Sequence, residues 1–349
     1  MTTQTVQPVV SRGSVERGAP WVRPSRLLIV IVAYRAVELT IDCLASLEPE
    51  IKANPGVGVI VCENGTGGDA AARIERAIAE RGWAGWVDLW EATPNRGFAG
   101  GNNVVLEDVL TWADPPEHVL LLNADTVVRV GAINLLLRAA DKNPGAGVVS
   151  PRLEWPDGTP QVSCFRHFEP LTELDKSAGI GLITRLLRRF VTAIPVCDEP
   201  TTPDWTSFAC ALIRFEVLKA VGVLDPGFFL YYDDPDYCRR VWKAGWRVMN
   251  IPEARVVHLR GKSNPAKELQ RNRKRRPWYH FASRARFYAK HHGHFGLLLA
   301  NLCWTAGHCF AFARRLVFGT PVPACDRELR DIWTNFWNPM KMPERGQDG

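Results

Sequence analysis

Between Arg26 and Ser150, short β-branched apolar runs alternate with amphipathic stretches about every 25 residues. The runs are "RLLIVIVAY", "VGVIVC", "WVDLWE", "HVLLLNADT" and "GVVS". Between them lie "VELTIDCLASL", "GGDAAARIERAIAERG", "NNVVLEDVLTW" and "GAINLLLRAADKNPG", whose apolar residues recur at helical spacing. Strands that are apolar on both faces, each followed by a helix, fit one arrangement: an α/β fold with a mostly parallel sheet covered on both sides. From Pro151 the pattern changes. "RLEWPDGTPQVS" predicts a hairpin around Pro156, Asp157 and Gly158, and Trp205 to Phe215 a further strand.

In such a sheet, ligands bind beyond the carboxyl ends of the strands. Polar residues follow the apolar runs there: Ala33, Tyr34 and Arg35 after the first, Glu63 and Asn64 after the second, Asn123 to Thr126 after the fourth. Asp125 fits a hard divalent cation holding a diphosphate, and equally a turn or helix cap. "NRGFAGGNN" places three glycines before a predicted helix, which suits anion binding or close approach of a ligand. It is neither a P-loop nor a dinucleotide fingerprint.

"FFLYYDDPDYCRR" crowds Asp233, Asp234 and Asp236 behind an aromatic run. Asp234 before Pro235 predicts an N-cap and a helix over 235–244. A carboxylate at that entrance is also placed to take a proton from an incoming hydroxyl. His258 ends another β-branched run, with Arg260 and Lys262 behind it. It suits a metal ligand or a plain structural histidine, and the two cations suit a departing phosphate.

The chain of 349 residues carries a net charge of +6, unevenly spread. Lys267 to Arg276 holds six basic residues against one acid, a surface for anionic partners. No nucleic-acid reading motif accompanies it, so nucleic acid is not expected as a partner. Phe295 to Ala313 has no charged side chain across 19 residues and basic flanks. An interfacial helix, a core helix and a membrane span all fit it, the basic flanks favouring the interfacial one. The first 25 residues are polar, lack a secretory core and read as a mobile tail. Nine scattered cysteines with no C-x-x-C point to a reducing compartment.

Taken in order, "VAYR", "CENGT", "NRGFAGGNN", "LLNADT", "SPRLEWPDGTPQVS", "FFLYYDDPDYCRRVWKAGWRV", "EARVVHLRGKS" and "SRARFYAKHHG" resemble the family 2 glycosyltransferases. The subgroup they most resemble is the bacterial rhamnosyltransferase-like enzymes of cell-wall and O-antigen assembly. The resemblance spans roughly Arg26 to Gly293. It implies a GT-A fold over 26–265; composition, not the resemblance, makes 266–349 a basic, helical, membrane-associated region. It implies that Ala33, Tyr34, Arg35, Glu63, Asn64, Arg96, Gly97 and Asn123 border the donor nucleotide. Asp125 and His258 would hold Mg²⁺ or Mn²⁺, and Arg260 and Lys262 would face the diphosphate or acceptor. Asp234 falls on the family's general base, with Asp233 in support. The implied reaction inverts the anomeric centre, the implied donor being dTDP-β-L-rhamnose or, as the alternative, UDP-galactofuranose or another UDP-sugar. The implied acceptor is a saccharide, and the basic, apolar C-terminal region suggests one on a polyprenyl diphosphate at the cytoplasmic membrane face. Four positions depart from the family pattern: Asn123 for the first acid of the metal motif, Glu63 for Asp, Arg35 for Asn, and Asp233 for Glu.

Overall fold

The computed structural model describes residues 9–12, 21–259, 269 and 271–343. The alternation becomes one sheet of nine strands: β1 (Val9–Arg12), β2 (Leu27–Ala33), β3 (Val57–Glu63), β4 (Val87–Thr93), β5 (His118–Asn123), β6 (Thr126–Val128), β7 (Ala146–Glu154), β10 (Cys210–Arg214) and β11 (Arg247–His258). Their order across the sheet is β1-β4-β3-β2-β5-β10-β7-β11-β6. Strands β4, β3, β2 and β5 are parallel neighbours, as are β7 and β11, while β10 runs antiparallel between β5 and β7. The expected α/β fold with a mostly parallel central sheet and a helical C-terminal extension is therefore present.

Alternate residues of the strands feed two cores. Leu28, Val30, Ile60 and Cys62 pack on one face, and Leu27, Ile29, Ile31, Val59 and Val61 on the other. Helices α1 (Val37–Ala53), α2 (Ala70–Glu80) and α4 (Ala132–Lys142) cover the second face through Leu44, Ile74 and Leu136. Helix α3 (Gly97–Val109) covers the first through Val105 and Val109. Each such side chain, fully buried, contributes about 1.5–3 kcal/mol relative to exposure. That is why these runs read as strands despite lacking polar alternation.

Four expectations need correction or refinement. Part of the predicted tail, Val9–Arg12, is a strand: its β-branched residues pair antiparallel with the open edge of β4. Trp205 to Phe215 is two strands, because β9 (Trp205–Thr206) leaves the main sheet to pair with β8 (Cys164–Phe165). The glycine-rich run lies inside α3 rather than before it. Helix α8 (Asp233–Lys243) begins at Asp233, with Tyr232 at the cap position, so Asp234 is not the N-cap. The Pro156–Gly158 turn forms as expected, closed by Trp155 and Thr159.

The remaining helices are α5 (Pro170–Ala178), α6 (Gly181–Leu186), α7 (Phe215–Val221), α9 (Trp278–Phe318) and α10 (Glu328–Asp331). Helix α9 breaks at Gly293, where φ is 72° and ψ 176°. It lies so close to α5 that a Cβ on Gly307 would sit 2.1 Å from Ser177 Oγ. By length and composition α9 is able to cross a membrane, yet 44% of its most apolar stretch is buried inside the fold.

One contact ties the two ends of the sheet's working edge together. Phe98 N donates to Phe229 O at 2.8 Å, and Gly97 (φ +69°) leaves only 1.9 Å for a Cβ against that same oxygen. Gly97→Ala is expected to lower folding stability by at least about 3 kcal/mol, measured by denaturant unfolding against the wild type.

Candidate active site

Strand register creates the first half of the site. Thr126 pairs with His258 across the antiparallel β6–β11 ladder, and Leu259 N donates to Asp125 O at 2.9 Å. Two residues far apart in sequence thus meet: His258 Nε2 lies 3.5 Å from Asp125 Oδ1, and both are buried. Gln161 Nε2 donates to His258 O at 2.8 Å and pins the strand end. An imidazole and a carboxylate at this separation fit a Mg²⁺ or Mn²⁺ ion whose other ligands are phosphate oxygens and water. No cluster of three protein ligands exists among the described residues. That is the ligand poverty expected where the substrate completes the shell.

The second half comes from the segment before α8. Tyr231 and Tyr232 both take left-handed backbone (φ 69° and 65°), which costs energy for non-glycine residues and turns the chain sharply into the helix. Packing holds the strain: Tyr232 lies against Phe168, Phe287 and His280, and Tyr231 against Tyr279 and His280. Asp233, Asp234 and Asp236 then fall in the first turn, at the positive end of the helix dipole. They differ in role. Asp236 is fully buried and accepts from Arg240 (3.0 Å), Lys290 (2.7 Å) and His291 (2.8 Å). Burial pushes its pKa up, but these partners override it and hold it below the ordinary carboxylate value. It is an anchor. Asp233 is also buried, and burial pushes it up to about 7, with the Asp236 charge adding to the rise.

One cavity of about 650 Å³ gathers Asn123, Asp125, His258, Asp233 and Asp234. The predicted nucleoside residues stand outside its lining, at the carboxyl ends of β2 and β3, linked to it through Phe98. Their side chains hold that edge together. Glu63 accepts from Gly65 N (3.2 Å) and Thr66 N (2.7 Å). Asn64 donates to Asn95 Oδ1 (3.1 Å) and Gly97 O (3.0 Å) and accepts from Arg96 N (3.2 Å). Ala33 O accepts from Asn64 N, Arg35 N donates to Thr66, and the Arg35 guanidinium lies over Tyr34. Arg260 and Lys262 lie outside the described residues.

The cavity also has walls that the motifs did not announce. Lys176 and Glu173 come from α5, and Arg276, His280 and Arg284 from the start of α9 and the residues just before it. Arg276, last of the basic run, and Arg284, inside "SRARFYAKHHG", lay in stretches already singled out, though neither was assigned to the site; Lys176 and Glu173 lay in none.

The mixed sheet, with the cavity, the Asp125–His258 pair and the acidic helix entrance at its strands' carboxyl ends, is a GT-A-like fold. Two solved structures share it: GalNAc-T7 with UDP, GalNAc and Mn²⁺ (TM-score 0.51, 14% identity, 76% of this chain and 50% of that one), and the mannosyltransferase PcManGT of Pyrobaculum calidifontis with GDP-Man and Mn²⁺ (TM-score 0.52, 18% identity, 87% and 80%). The chain belongs to the family described as glycosyltransferase like family 2, whose model matches residues 24–276. It is similar to N-acetylglucosaminyl-diphospho-decaprenol L-rhamnosyltransferase of Mycobacterium tuberculosis, 28% identical over 62% of this chain and 72% of the relative. It is also similar to rhamnosyltransferase WbbL of Escherichia coli, 23% identical over 46% of this chain and 60% of the relative.

Asp233 makes stability depend on pH with a definite sign. With its folded pKa raised from 3.8 to about 7, the native state keeps a proton that the unfolded chain has lost. Its contribution is therefore full below 3.8 and disappears as pH rises through about 7. Asp233→Asn, which stays neutral, is expected to be more stable than wild type near pH 8 and equal to it near pH 4, as read by thermal unfolding at both values.

Proposed function

We propose that this chain is an inverting, metal-dependent glycosyltransferase that moves L-rhamnose from dTDP-β-L-rhamnose to a saccharide acceptor, including one carried on a polyprenyl diphosphate, in cell-wall, O-antigen or exopolysaccharide assembly. One observation carries the reading: Asp125 and His258, 3.5 Å apart, share a cavity with the first-turn carboxylates of α8. The relatives' names support rhamnose and a lipid-linked acceptor, and two neighbours of the same fold bind nucleotides with Mn²⁺.

Ala33, Tyr34, Arg35, Glu63, Asn64, Arg96 and Gly97 frame the nucleoside, and Asn123 borders the diphosphate. Asp125 and His258 hold the divalent ion, which when bound offsets charge on the leaving diphosphate. Asp234 accepts the proton of the acceptor hydroxyl as its oxygen bonds to the anomeric carbon. The carbon–oxygen bond to the diphosphate breaks, and its electron pair leaves with the nucleoside diphosphate. Attack and departure on opposite faces invert the centre, and one base suffices because the leaving group is already an anion. Asp233, raised by burial to about 7, carries its proton below neutrality and there keeps a second negative charge away from that base. Arg260 and Lys262 are assigned to the diphosphate or acceptor.

With Mg²⁺ or Mn²⁺, dTDP-rhamnose is expected to give the strongest donor turnover in a panel that includes UDP-galactofuranose and other UDP-sugars. Asp234→Asn is expected to keep donor binding and to lose transfer by at least about a hundredfold. Transfer within a few-fold of wild type would reduce Asp234 to a structural residue, and binding without any turnover would leave a nucleotide-binding module.

The reading also places the protein on the cytoplasmic face of the membrane. Leu182 and Leu186 on α6, and Phe310, Phe312, Leu316, Val317 and Phe318 on α9, are exposed. Arg185, Arg188, Arg189 and Arg315 lie among them, and no Asp or Glu occurs in 177–197 or 295–324. Such a surface suits an anionic bilayer. Joint replacement of Phe312 and Phe318 by Glu is expected to weaken sedimentation with phosphatidylglycerol vesicles by at least about fivefold, and high salt to act likewise.

A further inference from the structure

Besides the carboxylates Asp125, Asp233 and Asp234, the cavity is lined by three cations whose own paired carboxylates number only two. Lys176, Arg276 and Arg284 all line it, and all three bear on the ring of His280. Arg284 Nε pairs with Glu173 Oε2 at 2.9 Å, and its Nη1 donates to Asn301 Oδ1 at 2.7 Å. Arg276 pairs with Glu328 at 3.6 Å and donates to His280 Nε2 at 2.9 Å, an arrangement that keeps the imidazole neutral. Among the described residues, Lys176 has no carboxylate within hydrogen-bonding distance. Its Nζ lies 3.8 Å from Glu173 Oε1 and 4.0 Å from the centre of the Phe168 ring. Asp175, next to it, accepts from Thr184.

Two carboxylates, Glu173 and Glu328, thus face three cations. Arg284 is nearly fully buried, and its Nη2 lacks a hydrogen-bond partner among the described residues, as does Arg276 Nε. Leaving such donors unmet costs stability. Desolvation, with Arg284 and Arg276 beyond the counteracting Glu173, pushes the Lys176 ammonium down to about 8, although 38% of its side chain stays exposed, and an arriving anion would reverse the shift. Unmet N–H groups around a surplus charge are what an anion with several acceptor oxygens satisfies.

The donor already has a place for its diphosphate at Asp125 and His258. The cation cluster is instead continuous with the apolar, basic surface. Helix α5 runs into α6 through Gly179, whose carbonyl accepts from Arg314. Pro323, which also lines the cavity, packs against Gly179. We propose that Lys176, Arg276 and Arg284 form a second anion subsite, which holds the diphosphate of a lipid-linked acceptor while its hydrocarbon leaves along α6 and the end of α9. The substrate class is then a phosphate-bearing acceptor rather than a neutral glycan. This rests on the reading that an acceptor occupies this cavity.

Farnesyl diphosphate, a lipid diphosphate without sugar, is a probe that needs no transfer. Titrated calorimetrically into the full chain with EDTA present, it is expected to bind, and farnesol to bind at least about tenfold more weakly. Lys176→Met is expected to weaken farnesyl diphosphate by about tenfold and Lys176→Arg to restore most of it. Affinity for dTDP with Mn²⁺ is expected to stay within about twofold in both. Arg276→Gln serves as the second variant should Lys176→Met fail to fold by thermal melting. Equal loss for dTDP and farnesyl diphosphate would assign the cluster to the donor and overturn the proposal. So would farnesol binding as tightly as farnesyl diphosphate, or variants with unchanged affinity. Intact selectivity for farnesyl diphosphate in a chain that transfers no sugar would sink the transferase reading and leave the subsite standing.

Discussion

Lys290 stands 2.7 Å from Asp225 and 2.7 Å from Asp236, and this double contact sets the position of everything between those two carboxylates. The bridged segment contains the strained tyrosines and the paired aspartates of α8. Arg286 adds a two-pronged grip on Asp225, His291 a bond to Asp236, and Ser283 Oγ one to Leu230 O. Burial alone would raise the Asp225 pKa, yet the Arg286 and Lys290 hydrogen bonds hold it at about 2. An ion pair of this kind, half removed, leaves a charge stranded out of water, so the network is a device for fixing direction more than a source of net stability. Two consecutive left-handed tyrosines would relax into ordinary backbone without it.

All of those partners come from α9, which changes the standing of the C-terminal third. The family match ends at residue 276, and α9 begins two residues later. The helix is nonetheless a wall of the cavity and the clamp on its acidic segment. Its first part, before the break at Gly293, serves the site. The part beyond packs one side on α5 and leaves Phe310, Phe312 and Leu316 exposed. An apolar stretch that read as interface, core or span, its basic flanks favouring the first, is divided between two environments, which explains why its composition pointed in several directions.

What was legible in the sequence follows from how local the cause is. Strands buried on both faces announce themselves by composition, so β2, β3 and β5 stood out, and with them the polar residues at their carboxyl ends. Asp125 and Asp234 sat in recognisable motifs, and the fold brings both into one cavity. The start of α8 was misjudged because Asp-Pro resembles a cap, whereas tertiary packing of Tyr231 and Tyr232 forces the helix to open earlier. Glu173 and Lys176 left no mark, and Arg284 showed only as part of a basic motif, since a charged residue on an amphipathic helix looks solvated until a second helix is laid against it. The break of the predicted 205–215 strand was equally invisible, being decided by which partner, β8 or β5, each half meets.

The contact between Gly97 and Phe229 joins regions that the chain makes separately. Asn64 grips the 95–97 turn from the end of β3, Phe98 N holds Phe229 O, and Phe229 leads within a few residues to Asp233 and Asp234. The carboxyl ends of β2 and β3 and the acidic helix entrance are therefore tied together through this one turn. Any change that moves the turn would pull on the chain that carries the carboxylates. For anyone recombining such chains, the two segments belong together, and a graft that exchanges either without its half of the contact loses the hydrogen bond between Phe98 and Phe229.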